Sequence, residues 1–167
     1  LPVYTQFLSP ADYGAIGLIT FLLAIAEGLL GMRLGMAVPK YYYETDDASY
    51  RRKVLSSALI ITGFASTIVT AALFFSAGPL SDLLFADRSY STALAVFSLV
   101  FILQALEAYG LLYLRIQERA GLFLAINLIK LAFQLSLNIL FVVVLEMGVL
   151  GIALSLVIST LIMALAL

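Results

Sequence analysis

Between Gly121 and Leu145 the sequence places Asn127, Lys130, Gln134 and Asn138 at i, i+3, i+7 and i+11, in a run that is otherwise almost entirely Leu, Ile, Phe, Ala and Val. At 3.6 residues per turn, all four fall on one narrow helix face. A soluble amphipathic helix has a wide polar face and an apolar stripe; here the proportions are reversed. That reversal belongs in a bilayer. An ammonium and three amides turned towards hydrocarbon would each cost on the order of several kcal/mol, so the stripe must face other helices or a water-filled cavity.

Four further apolar runs accompany this one, giving expected spans at residues 11–38, 54–75, 91–114, 121–145 and 149–167. Each is near the roughly 20 residues that a hydrocarbon core of about 30 Å demands. Hydrophobic residues make up 63% of the chain and charged residues 11%, whereas soluble domains carry about 25% charge. The expected fold is therefore all-α: a polytopic transmembrane helical bundle forming one domain over residues 1–167. Leu1 to Leu8 reads as the tail of a truncated helix, and a chain without an initial Met that stops inside an apolar run reads as a fragment.

Local signals set the expected boundaries. Ser9, Pro10 and Asp12 form a capping-box pattern that opens the first span. Pro39 and the cluster Tyr41, Tyr42 and Tyr43 are expected to close it. Glu44 to Lys53 and Ser76 to Tyr90 read as polar loops, and the Ser and Thr residues of span 54–75 as groups that bond to their own helix or pack against a neighbour.

Lys40, Arg51, Arg52, Lys53, Arg115 and Arg119 fall in alternate loops, against Arg88 alone in the others. The bias predicts that the Lys40 and Arg115 loops are cytoplasmic and that the Ser9, Gly78 and Glu146 turns face outward, in a multi-pass protein of the cell membrane.

Four ionisable residues lie within spans: Glu27, Arg33, Glu107 and Lys130. By helix rise Lys130 is about 16 Å beyond Arg119 and Glu27 about 18 Å before Pro39, whereas Arg33, at about 9 Å, can snorkel to the headgroups. Gly31 and Gly35 beside Arg33 read as a helix-packing motif. Glu107 lies about 12 Å from Arg115, so it and Lys130 sit at comparable depth on two arms of a hairpin and form a natural ion pair. Either the pair ties the arms together or Lys130 faces a cavity and meets an anionic substrate. Gln104, one turn from Glu107, fits both readings.

Several function classes drop out. Zero Cys and zero His exclude thiol and most metal chemistry, and a net charge of -1 with no basic tail argues against nucleic acid. No P-loop, dinucleotide fingerprint or histidine base appears, so neither a cofactor nor enzymatic catalysis is expected.

PVYTQFLSPADYGAIGLITFLLAIAEGLLG with AVPKYYYE, and LLYLRIQERAGLFLAINLIKLAFQLSLNILFVVVLEMGVLGIALS, resemble the polysaccharide-exporter flippases of the multidrug/oligosaccharidyl-lipid/polysaccharide (MATE-like) superfamily. The FLSPADYG and LRIQERAG turns are the most telling pieces. The resemblance implies one lobe of a two-lobed transporter that moves polyprenyl-diphosphate-linked oligosaccharide, such as a lipopolysaccharide precursor, to the outer leaflet, with the C-terminal lobe of the same protein as partner. It also implies a diphosphate-binding cation, carried over onto Lys130 and then Arg33. Asn127, Gln134 and Asn138 join them on the substrate path. Physics agrees, because a buried cation in a wet cavity lowers the barrier to moving negative charge through hydrocarbon. A proton or sodium gradient is the expected drive, with Glu27, Glu107 and Gln104 as candidates for ion coupling or ion pairing.

Two alternatives stand beside this reading. A multidrug exporter of the same superfamily would have a cavity tuned to organic cations, and a membrane glycosyltransferase or polymerase would need a large outward loop bearing carboxylates.

Overall fold

The computed structural model describes residues 8–29 and 34–167, without the side chains of residues 27, 29 and 34–36. The described residues form seven α-helices: α1 (Pro10–Leu29), α2 (Leu34–Tyr42), α3 (Ala48–Phe75), α4 (Ala77–Phe85), α5 (Ser91–Ile116), α6 (Ala120–Asn138) and α7 (Gly148–Ala166). A 3₁₀ turn, Arg88–Tyr90, precedes α5, and a π-helical segment, Ile139–Val144, extends α6. Among the described residues, four helical stretches are long and apolar enough to cross a membrane: Ala48–Phe75, Arg88–Ile116, Ala120–Val144 and Gly148–Ala166. Pro10–Ala26 adds a shorter apolar helix. The chain is a membrane protein with an all-α bundle fold.

The capping box at Ser9 forms as expected. The Ser9 amide donates to Asp12 Oδ2 at 2.9 Å and the Asp12 amide donates back to Ser9 Oγ at 3.2 Å, which satisfies two otherwise orphaned helix-start donors.

The anticipated span 11–38 covers α1 and α2, and residues 30–33 between them lie outside the described residues. Three boundaries in and after that span differ from expectation. Pro39 does not end it: α2 continues through Pro39 to Tyr42, and the Pro39 carbonyl accepts from the Tyr43 amide at 3.1 Å. Pro39 removes its own N–H donor and crowds the carbonyl four residues earlier, but its fixed φ is helical and it sits within three residues of the end of a short helix, where few intrahelical bonds are at stake.

The loop expected at 44–53 is mostly helix. Asp47 caps α3 by accepting from the Ser49 amide at 2.9 Å, and α3 begins six residues before the apolar run does. Arg51 then fastens the remaining loop, donating to the Tyr42 and Thr45 carbonyls at 3.1 and 2.9 Å and to Asp46 at 2.6 Å. Loop 76–90 likewise holds α4, where Pro79 occupies the first turn and costs no intrahelical bond.

Helix α5 is the centre of the bundle and buries Leu94, Phe97, Val100, Phe101 and Leu112. It packs antiparallel to α3, whose Thr70 hydroxyl donates across to the Ser98 carbonyl at 3.2 Å. Three further α3 hydroxyls bond within their own helix, Thr62 to the Ala58 carbonyl and both Ser66 and Thr67 to the Gly63 carbonyl. Helix α7 runs parallel to α5, and Val149 and Ala153 join Ala93, Leu94 and Phe97 in one core with Ala15 and Ile19 of α1. Gly151 allows α7 to approach the π segment closely, since a Cβ there would stand 3.0 Å from the Phe141 carbonyl oxygen.

The basic residues outside the spans gather at one end, with Arg88 alone at the other. At one end the Tyr43 hydroxyl donates to the Ile116 carbonyl at 2.8 Å, joining the Lys40 and Arg115 segments. At the other, the Tyr90 hydroxyl donates to Asp12 at 3.1 Å, and Asp12 and Glu146 line one cavity. Asp87 lies at this end, where hydrogen bonds from the Ser89 hydroxyl and amide hold its carboxyl below the usual aspartate range.

Two predictions follow from this architecture. Single cysteines at Ala48 and Ala120, both exposed at the basic end, should resist a membrane-impermeant thiol reagent applied to intact cells, whereas one at exposed Ser89 should label; the reverse pattern would invert the orientation. Gly151→Leu should overpack the α7 contact with the π segment and lower stability by about 1–3 kcal/mol, read as an earlier melting transition in detergent.

Candidate functional site: an ion pair in an interhelical groove

Helix α6 turns its polar stripe inward. Leu122, Leu124, Leu128, Ile129, Leu131 and Leu135 are exposed, whereas Asn127, Lys130, Gln134 and Asn138 are all half-buried on the covered side. The large aliphatic side chains are what hydrocarbon accepts, so the sequence orients the helix before any specific contact forms.

The expected ion pair is present. Lys130 Nζ donates to Glu107 Oε1 at 2.8 Å and to Oε2 at 2.6 Å, with side-chain exposures of 19% for Lys130 and 7% for Glu107. Both carboxylate oxygens are engaged by one ammonium. The pair joins α5 to α6 and neutralises two charges that would otherwise stand alone in an apolar interior.

Beside it lies a cavity of about 330 Å³, walled by Thr62 of α3, by Gln104, Ala108 and Leu111 of α5, and by Asn127 and Lys130 of α6. A second cavity of about 350 Å³ shares Ala108, Leu111 and Asn127 with the first and continues to Arg115 and Phe123. Together they form a groove that runs about 16 Å along α5 from Gln104 to Arg115. The Arg115 guanidinium sits 5.2 Å from the centre of the Phe123 ring, within cation–π range, at the basic end of this groove.

Asn127 is on both cavity walls and donates its amide to the Phe123 carbonyl at 2.7 Å, which leaves its side-chain oxygen to face the groove or water. Gln104 lines the first cavity opposite Lys130. The rest of the stripe goes elsewhere. Asn138 accepts a hydrogen bond from the Ser155 hydroxyl and so ties α6 to α7, and neither Asn138 nor Gln134 lines either cavity. The physical reason is coverage: α7 packs over the outer half of α6, where the stripe meets a neighbouring helix instead of a void. Arg33 and the side chain of Glu27 lie outside the described residues.

Arg115 is the groove residue that sequence reading treated only as a topological charge. Its signal was available. Gln104, Ala108, Leu111 and Arg115 fall at i, i+4, i+7 and i+11 on α5, one helix face that ends on a cation. Among the described residues Arg115 makes no ion pair, whereas Lys130 is already matched by Glu107.

The family model for polysaccharide biosynthesis proteins matches residues 3–167. The chain belongs to that family. No curated protein and no solved structure gives a match to the chain. This polysaccharide biosynthesis protein therefore combines a membrane-spanning bundle with a buried ion pair that opens onto a polar groove.

The pair yields a direct test. Glu107→Gln or Lys130→Met alone should destabilise the bundle by about 3–5 kcal/mol, because each leaves the other charge buried without a partner. The exchange Glu107→Lys with Lys130→Glu should recover part of that loss in a double-mutant cycle read by thermal melting in detergent. Two single variants with wild-type melting would mean that the pair carries no stability.

Proposed function

We propose that this protein is a flippase lobe that carries polyprenyl-diphosphate-linked oligosaccharide from the cytoplasmic to the outer leaflet of the cell membrane by alternating access, without covalent catalysis. The observation that supports it most directly is the pair of adjoining cavities, sharing Ala108, Leu111 and Asn127, whose walls run from Arg115 past Asn127 to the Lys130–Glu107 pair and Gln104. A diphosphate needs cations and hydrogen-bond donors along its route, because moving its charge into hydrocarbon unaided is prohibitive. Arg115 supplies an uncommitted planar donor at the basic end, suited to bidentate phosphate contact. Asn127 and Gln104 supply neutral polar groups deeper in, and Lys130 supplies a cation whose charge Glu107 offsets until an anionic ligand competes for it.

In this reading a second lobe closes the open side of the groove, and rocking of the two lobes about the buried site exposes it to each leaflet in turn. An ion gradient, of protons or sodium, drives the cycle. The sugar projects into water while the polyprenyl chain stays among the exposed aliphatic side chains of α6.

Transport of lipid-linked oligosaccharide in cells or proteoliposomes tests the assignment. Since Lys130 supports Glu107, the informative variant is the double change Lys130→Met with Glu107→Gln, which removes both charges together and keeps the fold. It should insert, melt near the wild-type temperature and lose transport by at least about tenfold, the rate equivalent of roughly 1.4 kcal/mol. Arg115→Gln should lower transport at limiting substrate more than at saturation, and Lys130→Arg should keep part of the activity. Normal transport by the double variant would remove Lys130 from the substrate path.

A further inference from the structure

A second groove, with no lining residue in common with the first, owes nothing to the transport reading. Its volume is about 380 Å³, and it runs between α2 and the first half of α3. Val38 and Ala58 are buried and form its floor; Tyr41, Val54 and Ile61 form its walls, and Lys53 stands at its basic end. The groove opens on a face made of hydrocarbon-compatible side chains, since Ile60, Ile61, Phe64 and Ile68 of α3 are 52–69% exposed. From Lys53 to Ile61 the helix rises about 12 Å, close to the half-thickness of about 15 Å that one leaflet's acyl chains fill.

The charge arrangement at its mouth is specific. Of the basic residues near the start of α3, Arg51 is spent on Asp46 and two carbonyls, and exposed Arg52 makes no ion pair among the described residues and is not on the groove wall; the carboxylate of Asp47 is spent on capping the helix. Lys53 is exposed and, among the described residues, pairs with no carboxylate. The Lys40 ammonium rests 5.9 Å from the centre of the Tyr41 ring, one of the groove's own walls, and it too makes no ion pair among the described residues. Lys53 on the groove wall and Lys40 beside Tyr41, neither ion-paired among the described residues, therefore stand near the water-side end of an apolar channel about one leaflet deep.

We propose that this groove is a binding site for an anionic glycerophospholipid of the leaflet at the basic end. One acyl chain lies against Val38, Val54, Ala58 and Ile61, and the phosphodiester meets Lys53 and Lys40. Charge complementarity selects the anion, and the lipid-facing position selects a molecule dissolved in the membrane over one that arrives from water. A zwitterionic headgroup satisfies the apolar channel but offers the two ammonium groups no net charge. The bound lipid would brace α2 against α3 and hold the Arg51 loop at the membrane surface.

Thermal melting of the purified protein in neutral detergent, with added phosphatidylglycerol, phosphatidylcholine or inorganic phosphate, tests the site. Phosphatidylglycerol should raise the melting temperature, and the other two should leave it within error of the detergent value. Lys53→Gln should lose more than half of the phosphatidylglycerol shift, Lys53→Arg should retain it, and Arg119→Gln, at the same end but off the groove, should also retain it. Ile61→Trp, which fills the channel, should abolish lipid retention in native mass spectrometry. An equal shift with phosphatidylcholine, a shift with inorganic phosphate alone, or an undiminished shift in Lys53→Gln would each overturn the assignment.

Discussion

The buried contact between Lys130 and Glu107 is the interaction on which the inner architecture depends. An ammonium in the middle of an otherwise aliphatic helix is tolerable only with a counter-charge within hydrogen-bond reach, and α5 provides one at 2.6–2.8 Å. That requirement fixes the rotation of α6 about its own axis and its register against α5. It keeps Asn127 turned inward and the leucines turned outward. The same contact leaves a void beside it, because Ala105 and Ala108 on α5 are too small to fill the space that the paired side chains hold open.

A second constraint acts at the ends of the bundle. Lys40, Arg51, Arg52, Lys53, Arg115 and Arg119 gather at one end, against Arg88 at the other, and the structure fastens each end by a tyrosine: Tyr43 to the Ile116 carbonyl and Tyr90 to Asp12. Tyrosine suits that place because its ring packs among apolar groups while its hydroxyl finds a partner at the water boundary. Longitudinal slippage of α2 or α1 against α5 would break one of these bonds. The charge bias and the tyrosine contacts therefore reinforce the same vertical placement.

The α6 segment shows how neighbours divide a uniform pattern into different roles. Asn127 and Lys130 border the groove, yet Asn138, on the same stripe, bonds to Ser155 and acts as interhelical glue. Just beyond Asn138 the backbone widens into a π segment, and Gly151 of α7 lies close against the Phe141 carbonyl. The polar path thus ends where α7 takes over the contact surface. Continuity of a stripe in sequence is not continuity of a path in space.

Much was legible in the chain itself. Hydrophobic run lengths dictated membrane-spanning helices, the inverted amphipathicity of α6 dictated which face turns inward, and helix rise placed Glu107 and Lys130 at one depth, since all three depend only on local periodicity and on the cost of polar groups in hydrocarbon. Capping at Ser9 was equally local. Tertiary structure decided the rest: the passage of α2 through Pro39, the early start of α3, the helix within 76–90, the assignment of Asn138 to packing, and the placing of Arg115 on the groove. Each depends on which helix lies alongside. A proline, a loop or a terminal arginine acquires its role from contacts made by residues distant in sequence, and periodicity along one chain segment carries no record of them.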